Sequence, residues 1–281
     1  MQNAKPNMKA LVKACENLGI EVSKVDEIGN LLQIKINDQM YYFSIARVPI
    51  NDESVSFICS FKSYTYRLLK DELPMPKTRS YNDPNSEEEH TRINAQFKSQ
   101  KAIVEDIVKN FDFPVMVKMS AGLQGKNVFK CDSKRKVAKA VKVIFNQKKR
   151  NYDSTVLAQK FIDIKNEYRV ILLDGEIILL YEKVSEIKNI NLSPLHNDDG
   201  KAVIILDEVI KKDIADIVDK SPILKSFPWI GLDIARDADG GWVVLELNVR
   251  PGFSYFIRDN GDEKVVEVYE KLLNRIKNGK K

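Results

Sequence analysis

Hydrophobic and polar positions along the chain switch repeatedly between the spacing of a helix and that of a strand. The stretch MKALVKACENL (8–18) has apolar residues at helical spacing, and Gly19 follows where a helix commonly stops. The next segments, IEVSKVDE, LLQIKIN and MYYFSIARV, have the composition of short strands separated by turn residues. The pattern therefore predicts an N-terminal α/β unit of roughly 60 residues, which is small for a domain.

Helices and strands remain interleaved beyond that unit. We expect helices in SYTYRLLKDEL, SQKAIVEDIVKNF, SKRKVAKAVKVIFNQ, DEVIKKDIADIVDK and EKVVEVYEKLLNRIK, and strands in FPVMVKM, VFKC, VLAQKFI, WIGLDIARD and WVVLELNV. EYRVILLD and EIILLYEKV flank Gly175 as the two strands of a hairpin. The polar stretch 80–98 has neither period, which indicates a surface loop or disorder. Interleaved elements with antiparallel hairpins predict an α/β fold built of α+β layers.

Composition narrows the class of protein. The chain has 281 residues, 43% hydrophobic and 30% charged, enough for one large domain or two to three small ones. Its 45 basic and 40 acidic residues give a net charge of +5, which weakly favours anionic small ligands over nucleic acid. The three cysteines include no CxxC pair, so neither a disulfide framework nor a zinc site is indicated. Without a long apolar run or an apolar signal core, we expect a cytoplasmic protein with no membrane partner.

Histidine chemistry has little support. His90 and His196 are the two histidines, and both lie in polar segments that we expect to be exposed loops. A Ser–His hydrolase would have to use one of them. The sequence therefore argues against that class.

The segment WVVLELNV contains the first candidate site. Glu246 and Asn248 are two residues apart, so a strand points them to the same face. If this strand pairs antiparallel with GLDIARD, Asp233 lies roughly opposite them. Two carboxylates and an amide oxygen suit Mg²⁺. In the alternative interpretation, Glu246 faces solvent on an edge strand and Asp233 is a cap or turn residue.

Two further features are basic. In VMVKMSAGLQGKNV, a strand ends at Lys118, and a small-residue turn with Gly122 and Gly125 leads to Lys126, an arrangement in which backbone and lysines can approach phosphate. An ordinary hairpin turn is the alternative.

Arg169 and Lys183 lie on the two strands of the central hairpin, where they would need an anionic partner if they faced inward. Their alternative is a solvated sheet face.

Taken together and in order, these segments resemble the ATP-grasp superfamily. The likeness is greatest to its carboxylate–amine ligases, such as the ribosomal-protein glutamate ligase, cyanophycin synthetase and glutathione synthetase. It extends from about Ser60 to Leu273 and includes FPVMVKMSAGLQGKNV, EYRVILLDGEIILLYEKVS, NINLS, GLDIARD and LELNVRPG. The resemblance implies two α+β subdomains that clasp ATP. We expect an N-terminal α/β segment at 1–77, a small subdomain at 78–160 containing the polar loop 80–98, and a large subdomain with the metal site at 161–281.

The resemblance also implies roles for individual residues. Arg169, Lys183 and Arg250 would be catalytic, with Arg250 at a position where many relatives have a small residue. Asp233, Glu246 and Asn248 would be ligands of Mg²⁺, for which Mn²⁺ is a substitute. The residues that would bind ATP are Lys62, Lys118, Ser120, Gly122, Gly125, Lys126, Gln159, Lys160, Phe161, Ile162, Glu167 and Asn191.

The function that the resemblance implies is ATP-dependent joining of a carboxylate to an amine. An acyl phosphate would form first, and an amide or peptide bond would follow with release of ADP and phosphate. Small molecules or peptides would be the substrates, and a homo-oligomer is compatible with the family. Two alternatives stay open: an ATP-grasp kinase that phosphorylates a hydroxyl, and a nucleotide-binding module without turnover.

Overall fold

Three antiparallel sheets, each packed against helices, build the fold. The structure, a computed structural model, describes residues 1, 3–122, 125–187 and 194–279. The sheets contain three, four and five strands. This confirms the mixed α/β class with antiparallel hairpins.

The N-terminal unit combines one helix with the three-stranded sheet. Its elements are Pro6–Asn17 (α1), Glu21–Lys24 (β1), Leu31–Ile36 (β2) and Gln39–Ser44 (β3), with β2 in the centre. Pro6 suits the first turn of a helix, and Gly19 has the positive φ of +62° that a helix-ending turn requires. The core of this unit includes Leu11 and Phe43 and is continuous with apolar side chains of the C-terminal helix, Glu263–Lys277 (α10).

The four-stranded sheet has the order β4–β7–β5–β6. Its strands are Thr78–Asn82 (β4), Val115–Met119 (β5), Val128–Cys131 (β6) and Thr155–Lys160 (β7). Two amphipathic helices, Gln100–Asn110 (α5) and Lys134–Ile144 (α6), supply apolar side chains to a core shared with the sheet. Ser99 begins α5 as its cap, because its hydroxyl accepts from the amide of Ala102.

The expectation of a structureless segment at 80–98 is wrong in part. Its first residues belong to β4, which pairs with β7 at Tyr81↔Val156, and Glu89–Ile93 forms a short helix (α4). The ring of Tyr81 is fully buried, and its hydroxyl donates to Asp106 at 2.8 Å. A partner strand more than 70 residues away thus stabilises a segment whose own sequence has no clear period.

The five-stranded sheet has the order β10–β9–β8–β11–β12. Its strands are Ile164–Leu173 (β8), Glu176–Val184 (β9), Lys201–Ile204 (β10), Trp229–Asp237 (β11) and Trp242–Asn248 (β12). Alternation along β8 sends Val170 and Leu172 into a core with apolar residues of two helices, Glu208–Asp219 (α7) and Pro222–Lys225 (α8).

The opposite face of the five-stranded sheet is apolar at one end and charged at the other. At one end Ile171 and Leu173 join the core of the N-terminal unit and α10. At the other end of the same face, β8 presents Glu167 and Arg169 instead. This change from apolar to charged side chains along one strand face places the candidate site.

Three more α-helices, Glu53–Ile58 (α2), Lys62–Leu69 (α3) and Ser254–Asn260 (α9), and the short 3₁₀ helix Pro194–His196 complete the described fold. The sequence pattern predicts α3 but not α2, α4, α8 or α9, all of seven residues or fewer, and it misses β4 and β10. Among the described helices, none is long and apolar enough to cross a membrane.

Candidate active site

The β11–β12 hairpin brings the predicted acidic residues together. Asp233 pairs directly with Glu246 across the two strands, and Gly231 pairs with Asn248. The amide nitrogen of Asn248 donates to Asp233 Oδ2 at 3.1 Å. The expected antiparallel pairing is therefore present, and the three side chains share one face.

Two cations from the neighbouring hairpin converge on Asp233. Arg169 lies opposite it in the β8–β11 register and donates from Nε to Oδ1 at 2.5 Å and from its second nitrogen to Oδ2 at 3.0 Å. Lys183 Nζ lies 2.7 Å from Oδ1 and also 2.6 Å from Glu167 Oε1. Arg169 and Lys183 thus face an anionic partner, and the solvated-face interpretation is wrong for both.

The charges of this cluster balance each other in a buried position. Burial alone would favour the neutral acid, but Arg169 and Lys183 outweigh it and hold the pKa of Asp233 well below its usual range. Burial likewise opposes the charge on Lys183, yet Asp233 and Glu167 raise its pKa. Asp233 and Lys183 are therefore both charged at neutral pH.

Lys62 connects this cluster to the glycine-containing turn. Its Nζ donates to the carbonyl of Gly122 at 2.5 Å and lies 3.4 Å from Glu246 Oε2. Its backbone amide donates to the carbonyl of Ser120 at 3.0 Å. Lys62 therefore spans the space between the four-stranded sheet and the β11–β12 hairpin.

Lys118 is a second cation on the same side of this space. It is buried, and Nζ donates to Gln159 Oε1 at 2.8 Å, while the Gln159 amide donates to Thr78 Oγ1 at 2.8 Å. Burial, reinforced by the positive charge of Lys62 and opposed by Glu246, lowers the pKa of Lys118 to about 8. An incoming polyanion would restore the full charge of this lysine.

The turn after β5 is held by hydrogen bonds where it leaves the strand. Ser120 is fully buried, and its hydroxyl lies 2.8 Å from that of Ser63. The amide of Ala121 donates to Asp153 at 2.8 Å. Gly125 has a φ of +68°, and exposed Lys126 follows it.

The end of β7 presents the segment for which the resemblance implies adenine contacts. The side chain of Lys160 is exposed, and its amide donates to the carbonyl of Lys77 at 2.9 Å. Phe161 and Ile162 are half-buried, and Lys130 Nζ lies 3.9 Å from the centre of the Phe161 ring. The strand end therefore offers an aromatic ring and a lysine beside it.

Two predicted site residues remain, Arg250 and Asn191. Arg250 is exposed and follows Asn248 by two residues. Asn191 lies outside the described residues, so its expected role stays a prediction.

Sequence reasoning overlooked Ser63 and Asp153, and its expectation that His196 lies in an exposed loop is wrong. Ser63 and Asp153 hold Ser120 and Ala121 in place from distant parts of the chain. His196 is half-buried rather than exposed, with its ring centre 5.7 Å from that of Tyr255, and burial followed by the charge of Lys183 lowers its pKa. No local pattern marks these residues.

The donor set suits Mg²⁺ in chemistry. Asp233 and Glu246 provide hard carboxylate oxygens and Asn248 an amide oxygen. Asp233 already accepts four hydrogen bonds, which matches the roughly four lone-pair sites of a carboxylate. A cation on Asp233 would therefore replace at least one of these donors, and Asn248 would turn its oxygen towards the ion.

Comparison with protein families gives a match to the model described as the RimK-like ATP-grasp domain, over residues 79–274. Among curated proteins, the D-alanine–D-alanine ligase of Actinobacillus pleuropneumoniae is 25% identical over 176 residues, which are 61% of this chain and 56% of that protein. The coenzyme γ-F420-2:α-L-glutamate ligase of Methanocaldococcus jannaschii is 30% identical over 175 residues, 58% of this chain and 56% of that enzyme. The matches thus span little more than half the length of these relatives.

Solved structures show the same fold. A bifunctional glutathione synthetase from Pasteurella multocida superposes with a TM-score of 0.57 at 15% identity, covering 96% of this chain and 43% of that one. A D-alanine–D-alanine ligase from Bacillus anthracis, solved with ATP, has a TM-score of 0.55 at 17% identity and covers 82% and 71% of the two chains.

Proposed function

Because the chain belongs to the RimK-like ATP-grasp family, we propose that it is an ATP-dependent carboxylate–amine ligase that forms an amide or peptide bond. The observation that carries this proposal is the convergence of Arg169 and Lys183 on Asp233, with Glu246 and Asn248 on the adjacent strand. Such a cluster offers cations for phosphate and acidic ligands for a metal ion. Both curated relatives described above are also named as ligases.

In this proposal, ATP lies between the four-stranded and the five-stranded sheets. Lys62 and Lys118 bind phosphate oxygens together with Ser120, Gly122, Gly125 and Lys126, and the resemblance to the family assigns Asn191 a role at the phosphate as well. The segment from Gln159 to Ile162 holds the adenine, and Glu167 the ribose. The small subdomain is then 78–160 and the large one 161–281, with 1–77 preceding them.

The chemistry needs two transfers. A carboxylate oxygen of the first substrate attacks the γ-phosphorus, the bond to the bridging oxygen breaks, and ADP leaves. The amine of the second substrate then attacks the carbonyl carbon of the acyl phosphate, loses a proton and expels phosphate. Mg²⁺ bound by Asp233, Glu246 and Asn248 would neutralise the phosphate charge.

The residues of this chain assist both transfers electrostatically. Arg169 and Lys183 stabilise negative charge on the transferred phosphoryl group, because buried cations act strongly where water is excluded. Arg250, two residues beyond β12, contacts the substrate. No covalent enzyme intermediate is required, which agrees with the burial of all three free cysteines.

The names of the relatives support a class of substrate. The relatives' names include D-alanine and L-glutamate, which supports an amino acid or a short peptide as one partner here. We place the enzyme in the cytoplasm, without nucleic acid or membrane as partners, and a homo-oligomer is compatible with the fold.

The decisive experiment measures ADP and phosphate release with Mg·ATP across pools of amino acids, dipeptides and small carboxylic acids, with mass spectrometry of each responding pool. We expect a product lighter by one water than the sum of two substrates. A product with an added phosphate group would instead identify a kinase. ADP release in no pool would contradict a ligase of small substrates and favour the nucleotide-binding module.

Replacing Glu246 by Gln tests the assignment of Glu246 as a metal ligand. The amide keeps the size of the side chain but removes the charge that a divalent ion needs. We expect turnover to fall by at least about 100-fold, since loss of a key electrostatic group typically costs 10²–10³ in rate. Turnover at the wild-type rate would contradict the assignment of Glu246.

A further inference from the structure

Two arginines near the end of β12 lack an acidic partner. Arg250 lies two residues beyond Asn248, and Arg47 lies in the loop 45–52 between β3 and α2. Both side chains are exposed, and within the described part of the chain neither guanidinium forms an ion pair or hydrogen bond. Arg169, by contrast, contacts the carboxylate of Asp233.

Backbone geometry brings the two segments together. In the β11–β12 ladder Gly231 pairs with Asn248, so a continued ladder would put residue 250 opposite Trp229. Asn51 takes that place instead. Its amide nitrogen donates to the Trp229 carbonyl at 2.7 Å, and its oxygen accepts from the Trp229 amide at 2.9 Å.

The direction of these hydrogen bonds shows that Asn51 lies on the side of β11 that faces β12. The amide of Asp174, next to β8, donates to the carbonyl of Pro228, so alternation turns the backbone groups of Trp229 towards the β12 side. Chain direction changes beyond β12, where Pro251 lies against Gly231: a Cβ on that glycine would be 2.9 Å from the Pro251 Cβ. The loop that carries Arg47 therefore borders the segment that carries Arg250.

Like charges at this border repel each other. After the effect of burial, the positive charge of Arg47 lowers the pKa of Arg250. Two guanidinium groups on bordering segments, neither with an acidic partner among the described residues, can share one anion, and the planar fork of arginine matches a carboxylate.

We propose that Arg47 and Arg250 form a carboxylate-binding subsite for a substrate carboxylate other than the one that reacts. This deepens, and rests on, the proposed ligase function. The reacting carboxylate must approach the phosphate held near Arg169 and Lys183, whereas this pair lies beyond Asn248 at the strand end. One substrate is therefore an amino acid or short peptide with a free carboxylate, or a dicarboxylate.

The test is a binding titration that uses pairs of probes differing by one charge. The probes are the twenty amino acids, glutaryl and succinyl diacids and alanyl dipeptides, each beside its carboxamide counterpart, titrated in the presence of Mg·ADP. Inorganic phosphate reports general attraction of anions. The proteins are the wild type, Arg47→Gln, Arg250→Gln and the control Arg135→Gln, which removes an exposed arginine of α6.

We expect at least one probe to bind the wild type and to lose about 10- to 100-fold in affinity with either site variant, as loss of a charged hydrogen bond predicts. Its carboxamide should bind the wild type weakly and respond little to the substitutions. Arg135→Gln should match the wild type. Neither site variant should lower the melting temperature, because each removes a repulsion, whereas a structural role would lower it.

Each outcome is decisive. Equal binding of every probe to the wild type and both site variants would overturn the subsite, as would equal losses for carboxylate, carboxamide and phosphate. ADP release that persists with unchanged substrate KM in Arg47→Gln would overturn it while leaving the ligase intact. Probe binding that depends on both arginines, without ADP release from any pool, would support the subsite and contradict the ligase.

Discussion

Asp233 is the residue on which the site depends. Its carboxylate accepts from Arg169, Lys183 and Asn248, and Glu167 shares Lys183 with it. Two buried positive charges thus face two negative ones, so the cluster is neutral as a whole. A buried ion pair of this kind adds little stability by itself, but removal of one partner leaves charge without compensation.

Replacing Lys183 by Met should therefore destabilise the protein strongly. The side chain of Lys183 is 1% exposed, and Glu167 and Asp233 would both lose a donor. We expect a loss of about 3–5 kcal/mol in the free energy of unfolding, measured by urea denaturation. Lys225→Met is the control, since its ion pair with Asp219 is largely exposed and should contribute at most about 1 kcal/mol. A Lys183→Met transition that overlaps that of the wild type would contradict the prediction.

ATP affinity should fall as pH rises through about 8, the pKa to which burial lowers Lys118. Phosphate binding needs the protonated lysine, so deprotonation removes a favourable charge above that pH. The dissociation constant measured between pH 6.5 and 9.5 should rise by up to about tenfold per pH unit above the pKa. Lys118→Arg, which keeps its charge throughout, should flatten this dependence. An identical slope in both proteins would exclude Lys118 as its origin.

The free energy of unfolding should also depend on the protonation of Lys118, but it should increase with pH where ATP affinity decreases. The pKa of Lys118 in the folded protein lies below the ordinary lysine value of 10.5, so the unfolded chain binds more protons between about 8 and 10.5. Lys118 therefore makes stability rise with pH across this window. Binding and stability of the ATP-free protein should then change in opposite directions.

At the scale of elements, the loop 45–52 connects the N-terminal unit to the five-stranded sheet. Asn51 extends the edge of β11 by two hydrogen bonds to Trp229. Val48 and Ile50 pack on the apolar core beside it. The position of Arg47 thus depends on the side chain of Asn51, which forms the two backbone hydrogen bonds that a neighbouring strand would otherwise form.

Asn51→Ala should release this loop. Loss of two hydrogen bonds to partly buried backbone groups should cost about 1–3 kcal/mol, and hydrogen exchange should accelerate in residues 45–52 and at Trp229. Asn94→Ala removes an exposed side chain that, among the described residues, donates only to His90 of α4, so it should leave exchange in residues 45–52 and at Trp229 unchanged. Exchange in the loop that stays at the wild-type rate would show that other contacts hold it.

The whole molecule places a cation between two sheets. Lys62 contacts Gly122 of the turn after β5 and lies near Glu246 of β12. A ligand bound at this position would contact both sides at once. Its binding energy would then add to the stability of the assembled fold.

Mg·ATP should therefore raise the melting temperature more than ATP with EDTA does. At a ligand concentration 100 times the dissociation constant, the gain is about 2.7 kcal/mol. In Glu246→Gln the magnesium-dependent part should disappear, while the smaller effect of ATP alone remains. Thermal denaturation of both proteins checks this, and an equal magnesium effect in the two would remove Glu246 from the metal site.

The sequence by itself determined those features that depend on local period and chain direction. The two-residue repeat puts Glu246 and Asn248 on one face, and the short turn before Trp242 brings Asp233 opposite them. Most long helices and strands follow for the same reason, because their apolar spacing is visible within a short window. Arg169 and Lys183 also belong to adjacent strands of a local hairpin, which explains why they could be identified as a pair.

Only the tertiary structure decided the features that depend on contacts between distant segments. β4 forms because β7 offers it an edge, Ser63 meets Ser120 across 57 positions, and Asn51 reaches Trp229 across 178. The approach of Arg47 to Arg250 belongs to the same class. Such contacts arise when separately formed sheets and loops pack together. The local sequence around each residue therefore does not predict which distant residue it contacts.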